Sequence, residues 1–167
     1  MILASLAVMA TILSNPLLGT AEGACRSPEP GPAFQITVEG LKDRRGQLRL
    51  ELYPDNDADF LDDDNRLVAA GKPFGRVAMS IPAAGPVAMC IRAPGPGRYS
   101  LMLLHDRNEE RKFSFSDDGV GFAGNPRLGW SRPAADRASA AVGNGVTRLA
   151  IILNYRRGLS MRPLEVK

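Results

Sequence analysis

The sequence predicts an all-β domain, an antiparallel β-sandwich, on three observations. Apolar residues recur with a period of two in several short segments, and strict alternation marks strands with one buried face. The segments are punctuated by glycine and proline, 17 and 13 residues of the 167, which is how many short strands are turned into a sandwich. No segment within the domain keeps a helical period and no repeat of about 20–50 residues recurs, so one domain is expected at this length.

Taken in order, the chain opens with MILASLAVMATILSNPLLGTAEGAC, which carries no charge before Glu22 and ends in small residues. Residues 1–24 are expected to be a secretory signal peptide, with a small-residue site such as Gly19-Thr20-Ala21, although the usual basic start is missing. Pro16 argues against a retained membrane anchor, the alternative. Export places Cys25 and Cys90 in an oxidising compartment, so the pair is read as a disulfide. It would close a loop of about 65 residues and contribute about 4 kcal/mol in the chain-entropy model. Lipidation of Cys25 is the minor alternative. Residues 25–33 continue a proline-rich, poorly ordered lead-in.

The sandwich is expected over residues 34–155. In FQITVEGL, Phe34, Ile36 and Val38 share a face, and in QLRLELY so do Leu48, Leu50 and Leu52. The polar KDRRGQ between them suggests a β-hairpin. Six aspartates between Asp55 and Asp64 read as a solvated loop pinned to the core by Phe60 and Leu61, through a short helical turn. Strands resume in RVAMSI and VAMCIRA. RYSLMLLH is apolar on both faces, which suggests a central strand. TRLAIILNY is the last strand, and residues 156–167 form a basic tail expected to fray.

A net charge of +3, spread along the chain without a basic cluster, excludes a nucleic-acid footprint. The segment HDRNEERKFSFSDDGVGFAGNPR holds the single histidine and is the first candidate site. Measured against a twelve-residue calcium loop, Asp106, Asn108 and Glu110 stand at positions 1, 3 and 5 and Asp117 at 12, which makes Asp106, Asn108, Glu110 and Asp117 the candidate metal ligands. Arg111 stands where glycine is needed, and Arg107 and Lys112 add positive charge, so no cofactor is expected beyond a degraded calcium loop. One histidine and a bridged cysteine pair do not make a zinc site. A hydrolase would use His105 as its base, but no nucleophile elbow is present. His105 is in phase with Tyr99, Leu101 and Leu103, which predicts a hydrogen-bonded histidine at the end of a core row. Adjacent Glu109, Glu110, Asp117 and Asp118 show no sign of a cleft for a glycosidase. Trp130, the single tryptophan, would stack on a sugar ring or a partner side chain if exposed, or else cover the end of the sandwich.

The motifs VEGLKDRRGQLRLELYPD, PGRYSLMLLHD and GVGFAGNPR, with the final apolar strand, together resemble the bacterial exported proteins grouped as domain of unknown function 2141. The resemblance covers about residues 34–155. It implies an immunoglobulin-like or prealbumin-like sandwich and an exported location, and it implies no reaction. His105, Asp106, Asn108 and Lys112 match the family's His-Asp pair and the run after it, while Glu110, Arg111 and Ser114 depart from that run. Gly121, Phe122 and Asn125 match a second run from which Ala123 and Gly124 depart. The expectation is an exported, periplasmic or secreted, non-catalytic binding or accessory module of the cell envelope. Its ligand or envelope partner would meet His105, Asp106, Asn108, Asn125 and Trp130, because loops at a sandwich end carry function on a rigid scaffold. The alternatives are a calcium-stabilised sandwich and a hydrolase using His105.

Overall fold

The structure is a computed structural model and describes residues 15–164. The strands are β1 (Ala33–Glu39), β2 (Gln47–Pro54), β3 (Gly75–Ser80), β4 (Val87–Arg92), β5 (Gly97–Asp106), β6 (Gly119–Phe122), β7 (Ser139–Val142), β8 (Val146–Ile152), β9 (Asn154–Arg157) and β10 (Ser160–Pro163). Two short helices are α1 (Thr20–Gly23) and α2 (Asp64–Ala69), and a 3-10 turn spans Ala135–Ala138. A small sheet has the order β4-β1-β8, and a large one β10-β9-β6-β5-β2-β3 with β7 also on β5. The protein is an all-β sandwich, as the alternation predicts. Its pairs are antiparallel except β1–β8, which is parallel.

The core lies between the sheets. Phe34, Ile36 and Val38 of β1 meet Leu48, Leu50 and Leu52 of β2 and Leu101 and Leu103 of β5 there. Each fully buried leucine contributes roughly 1.5–3 kcal/mol by leaving water. The β1–β2 hairpin expected from KDRRGQ is not formed: β1 belongs to the small sheet and β2 to the large one. The two strands instead face each other across the core, an arrangement that requires the same alternation as pairing side by side. TRLAIILNY likewise divides, with β8 in the small sheet and β9 in the large one. The chain changes sheet at Leu153, which is buried.

The basic tail expected from residue 156 is a second departure. Residues 154–163 form the β9–β10 hairpin, and Met161 is buried on the outer side of the large sheet. Within the proline-rich lead-in, the Glu29 carboxylate accepts the Arg26 and Gly31 amides, and Cys25 is bridged to Cys90. Of the expected signal segment, residues 1–14 lie outside the described residues. Residues 15–24 pack along β3, where the Arg76 amide donates to Gly19 O and Arg76 Nη1 to Asn15 O.

Both faces of the large sheet are covered. On the outer face Tyr53, Val120 and Phe122 pack with Phe60 and Leu67 from the 55–74 segment and with Ala135 and Ala138. The aspartates of that segment act as architecture. Asp63 caps α2 by accepting the Arg66 amide, Asp59 pairs with Lys72, and Asp57 accepts the Ala135 amide. Gly119 and Gly121 of β6 carry no side chain on the inner face because the space is taken. A Cβ on Gly119 would lie 2.4 Å from the Tyr155 ring, and one on Gly121 2.6 Å from Ile151.

Candidate functional site

The corner around His105 is built as structure. His105 ends the inner row of β5 and is fully buried. Its Nε2 lies 2.8 Å from Arg45 O, which can only accept, so Nε2 carries the proton. Nδ1 therefore accepts from the Tyr155 hydroxyl at 2.6 Å, and that hydroxyl accepts in turn from the Lys42 amide. Burial pushes the Tyr155 phenol up to about 12. Both imidazole nitrogens are engaged, which leaves none to take a proton from a substrate. The hydrolase alternative draws no support from this geometry.

Burial pulls the His105 pKa below its ordinary value, against the raising effects of the Arg45 carbonyl and Asp43. Asp43, held low by its hydrogen bond from Arg107, approaches His105 Nε2 at 3.9 Å, and Arg107 and Asp118 are the other charges acting on the ring. The unfolded chain therefore binds a proton near pH 6.5 that the folded chain refuses. Stability is full above that pH and falls as the pH drops through the lowered folded value. Thermal melts at about pH 7.5 and 5.5 should show this loss, and His105→Gln should remove the pH dependence in that window, since the chain has one histidine. A wild-type melting temperature that is flat between those two values would contradict the assignment.

Asp106 and Asp118 are buried carboxylates that hold the following loop. Asp106 accepts the Glu110 and Arg111 amides, and Asp118 accepts those of Arg107 and Ser114. Asn108 accepts the Glu110 amide as well, and Asp117 accepts the Ser114 and Ser116 hydroxyls. Asp106, Asn108 and Asp117, three of the four residues expected to bind calcium, are thus turned to amides and hydroxyls of their own loop. Among the described residues no group of three or more His, Cys, Asp or Glu side chains is placed to hold a metal ion. Asn125 has φ of +47° and clamps its loop to β8: its Nδ2 donates to Ala150 O and its Oδ1 accepts the Ile152 amide. Trp130 is 81% exposed. His105 belongs to the inner row of β5, whereas Trp130 stands over the outer face, so the five nominated residues do not form one site.

A cavity of about 450 Å³ does lie over that outer face, within the range of small-ligand sites. Alternation places its floor: while Leu48, Leu50 and Leu52 point to the core, Arg49, Glu51 and Tyr53 point outward, joined by Met102 and Leu104 of β5 and Val120 and Phe122 of β6. Its walls are Leu61 and Asp62–Asp64 on one side, Arg111, Phe113 and Phe115 from the loop after β5, and Leu128–Pro133 around Trp130. Phe113 and Phe115 are exposed for residues of their size.

One end of the floor is a buried charge network. Glu51 Oε1 lies 2.7 Å from Arg76 Nε, and Glu51 Oε2 accepts the Tyr53 hydroxyl at 2.6 Å. Arg76 Nη2 reaches Asp64 at 2.8 Å. Arg49 Nε stands 3.0 Å from the same Glu51 oxygen, an ion-pair contact without hydrogen-bond alignment, while Arg49 Nη1 donates to Arg111 O. Burial drives the Tyr53 phenol well up, and the Glu51 carboxylate adds to it. Burial pulls the Arg76 guanidinium down, but Glu51 and Asp64 outweigh it and the net shift is upward. Both upward shifts hold the proton on Tyr53 and on Arg76 near neutrality, so these two groups act as fixed donors to Glu51.

Arg49, Glu51, Arg76, Phe113 and Phe115 were not among the residues nominated from sequence. One signal pointed toward them: a central strand with Met102 and Leu104 on its second face requires a cover, and a cover over polar β2 residues makes a pocket.

Fold and cavity together define a disulfide-bonded β-sandwich with a ligand-sized cavity between its larger sheet and the loops over it. The chain belongs to the family described as uncharacterized protein conserved in bacteria (DUF2141), whose model matches residues 36–150. No curated protein and no solved structure matches the chain.

Proposed function

We propose that this protein is an exported, non-catalytic binding module of the bacterial cell envelope that holds a small, largely apolar ligand in the outer-face cavity. The cavity carries the proposal: an apolar floor of Met102, Leu104, Val120 and Phe122 ends at a fixed polar network and is bordered by Phe113, Phe115 and Trp130. Apolar walls with a few placed polar groups are the usual composition of a small-molecule site. Export is supported by the uncharged leading segment and by the Cys25–Cys90 bridge. Among the described residues no helix is long and apolar enough to cross a membrane.

Trp130 makes the test direct, since it is the single tryptophan. Titration with the neutral dye N-phenyl-1-naphthylamine should shift Trp130 emission to the blue and saturate at one dye per chain. Replacing Phe113 and Phe115 together by serine removes two exposed aromatic walls and should weaken dye binding roughly tenfold with the fold retained. No saturable change in Trp130 emission, or equal binding by the variant, would reject the cavity as the site.

A further inference from the structure

Leu128 and Met161 stand at the border of the outer-face cavity. These two side chains also line a second depression of about 420 Å³ on the other side, bounded by the loop at Asn125–Arg127 and by β9 and β10. The chemistry changes across that pair. The second depression presents Arg127, Arg157 and Arg162, and among the described residues its lining has no carboxylate.

Arg127 and Arg162 make no ion pair among the described residues, and Arg162 Nε meets only the neutral Ser160 hydroxyl. The loop bearing Arg127 is fixed by the two Asn125 hydrogen bonds to β8, so the charge is held beside the groove rather than on a free tether. Across the divide, the carboxylates of the apolar cavity already have partners. Glu51 is held by Arg76 and Tyr53, Asp64 by Arg76, Asp62 by Arg66, and Asp63 caps α2. A group that an apolar body in the first cavity carries past Leu128 and Met161 would thus enter the field of Arg127 and Arg162.

From this juxtaposition we infer that the ligand is an anionic amphiphile: a hydrocarbon chain in the outer-face cavity, with a carboxylate or phosphate head in the groove of Arg127 and Arg162. The inference rests on the binding function proposed above and adds its ligand class. Guanidinium forks bind both kinds of head through paired charge-assisted hydrogen bonds. A fatty acid and a single-chain phospholipid share this chemistry.

Calorimetric titration of the mature, disulfide-bonded protein below the micelle range tests it with three probes of one chain length: dodecanoate, dodecyl phosphate and dodecan-1-ol. At least one anionic probe should bind roughly tenfold tighter than the alcohol. The more strongly bound of the two indicates which source of the head is used. Arg127→Gln with Arg162→Gln, both at exposed positions, should bring the anions down to the affinity of the alcohol and leave the alcohol unchanged. Equal binding of all three probes by the wild type would overturn the anionic head while leaving the cavity in place. An anion preference that survives the double substitution would overturn the assignment to these arginines. If none of the probes binds, the cavity reading itself fails.

Discussion

Replacing Cys25 and Cys90 together by serine is expected to lower the stability of the mature protein by about 4 kcal/mol. The bridge joins residues 65 apart in sequence, and closing a loop of that length removes about 4 kcal/mol of chain entropy from the unfolded state. A domain of this size is stabilised by only about 5–15 kcal/mol in total, so the melting temperature should fall by on the order of 10 °C. The bridge also has a local task. Cys90 lies on β4, an edge of the small sheet, so the bridge ties Cys25 to that edge. Holding the start of the folded region against β4 covers an edge that would otherwise be open to pairing with another chain. Urea unfolding of oxidised, reduced and doubly substituted protein measures the effect. Coincident midpoints for all three would show that the crosslink does not stabilise the domain.

Arg76→Ala should cost a similar amount, about 3–5 kcal/mol, because it breaks a buried ion pair on one side only. Glu51 and Asp64 are 2% and 4% exposed and both face the Arg76 guanidinium. Removing the cation leaves two carboxylates buried without it, and the desolvation they have already suffered is no longer offset. Arg76→Lys should recover only part of the loss, since a single ammonium cannot reach both carboxylates with the fork of a guanidinium. Denaturant midpoints of the two variants check this: an alanine variant within about 1 kcal/mol of wild type would mean that the network is hydrated and contributes as surface pairs do.

The strands were legible wherever one face is buried and the other is wet. Leu48, Leu50 and Leu52, or Val87, Met89 and Ile91, announce themselves by alternation, and the two-sided apolar row of β5 marks it as central. Pairing was less accessible. The alternation of β1 and β2 fits a hairpin and fits two strands facing each other across the core, because both bury one face in the same layer. TRLAIILNY hides its change of sheet, since Leu153 is buried at the crossing and neither glycine nor proline marks it. GVGF is too short and too rich in glycine to show a period, although its glycines are there because Tyr155 and Ile151 occupy the inner face. Past Tyr155, the basic residues of the β9–β10 hairpin look like a solvated tail because Met161 is the one buried residue among them.

The site was harder to read than the fold for a related reason. His105 and Asp106 match the family motif and carry polar chemistry, but the fold spends that chemistry on Tyr155, Arg45 O and the amides of the next loop. Arg49 and Glu51 sit where alternation assigns solvent. They become the floor of a cavity only because the 55–74 segment and the Trp130 loop fold over the outer face. A pattern along one strand cannot report a cover contributed by residues that follow later in the chain.

Mapping a bound amphiphile by NMR tests the central claim most directly. In a titration of the labelled mature protein with dodecanoate, the Trp130 indole and the amides of Arg49, Met102, Phe113 and Phe115 should shift together and saturate. The amides of Asn108, Asp117 and Asp118, in the loop held by Asp106 and Asp118, should shift little. Shifts confined to Asn108, Asp117 and Asp118, or an unchanged Trp130 indole at saturation, would contradict a binding site on the outer face of the large sheet.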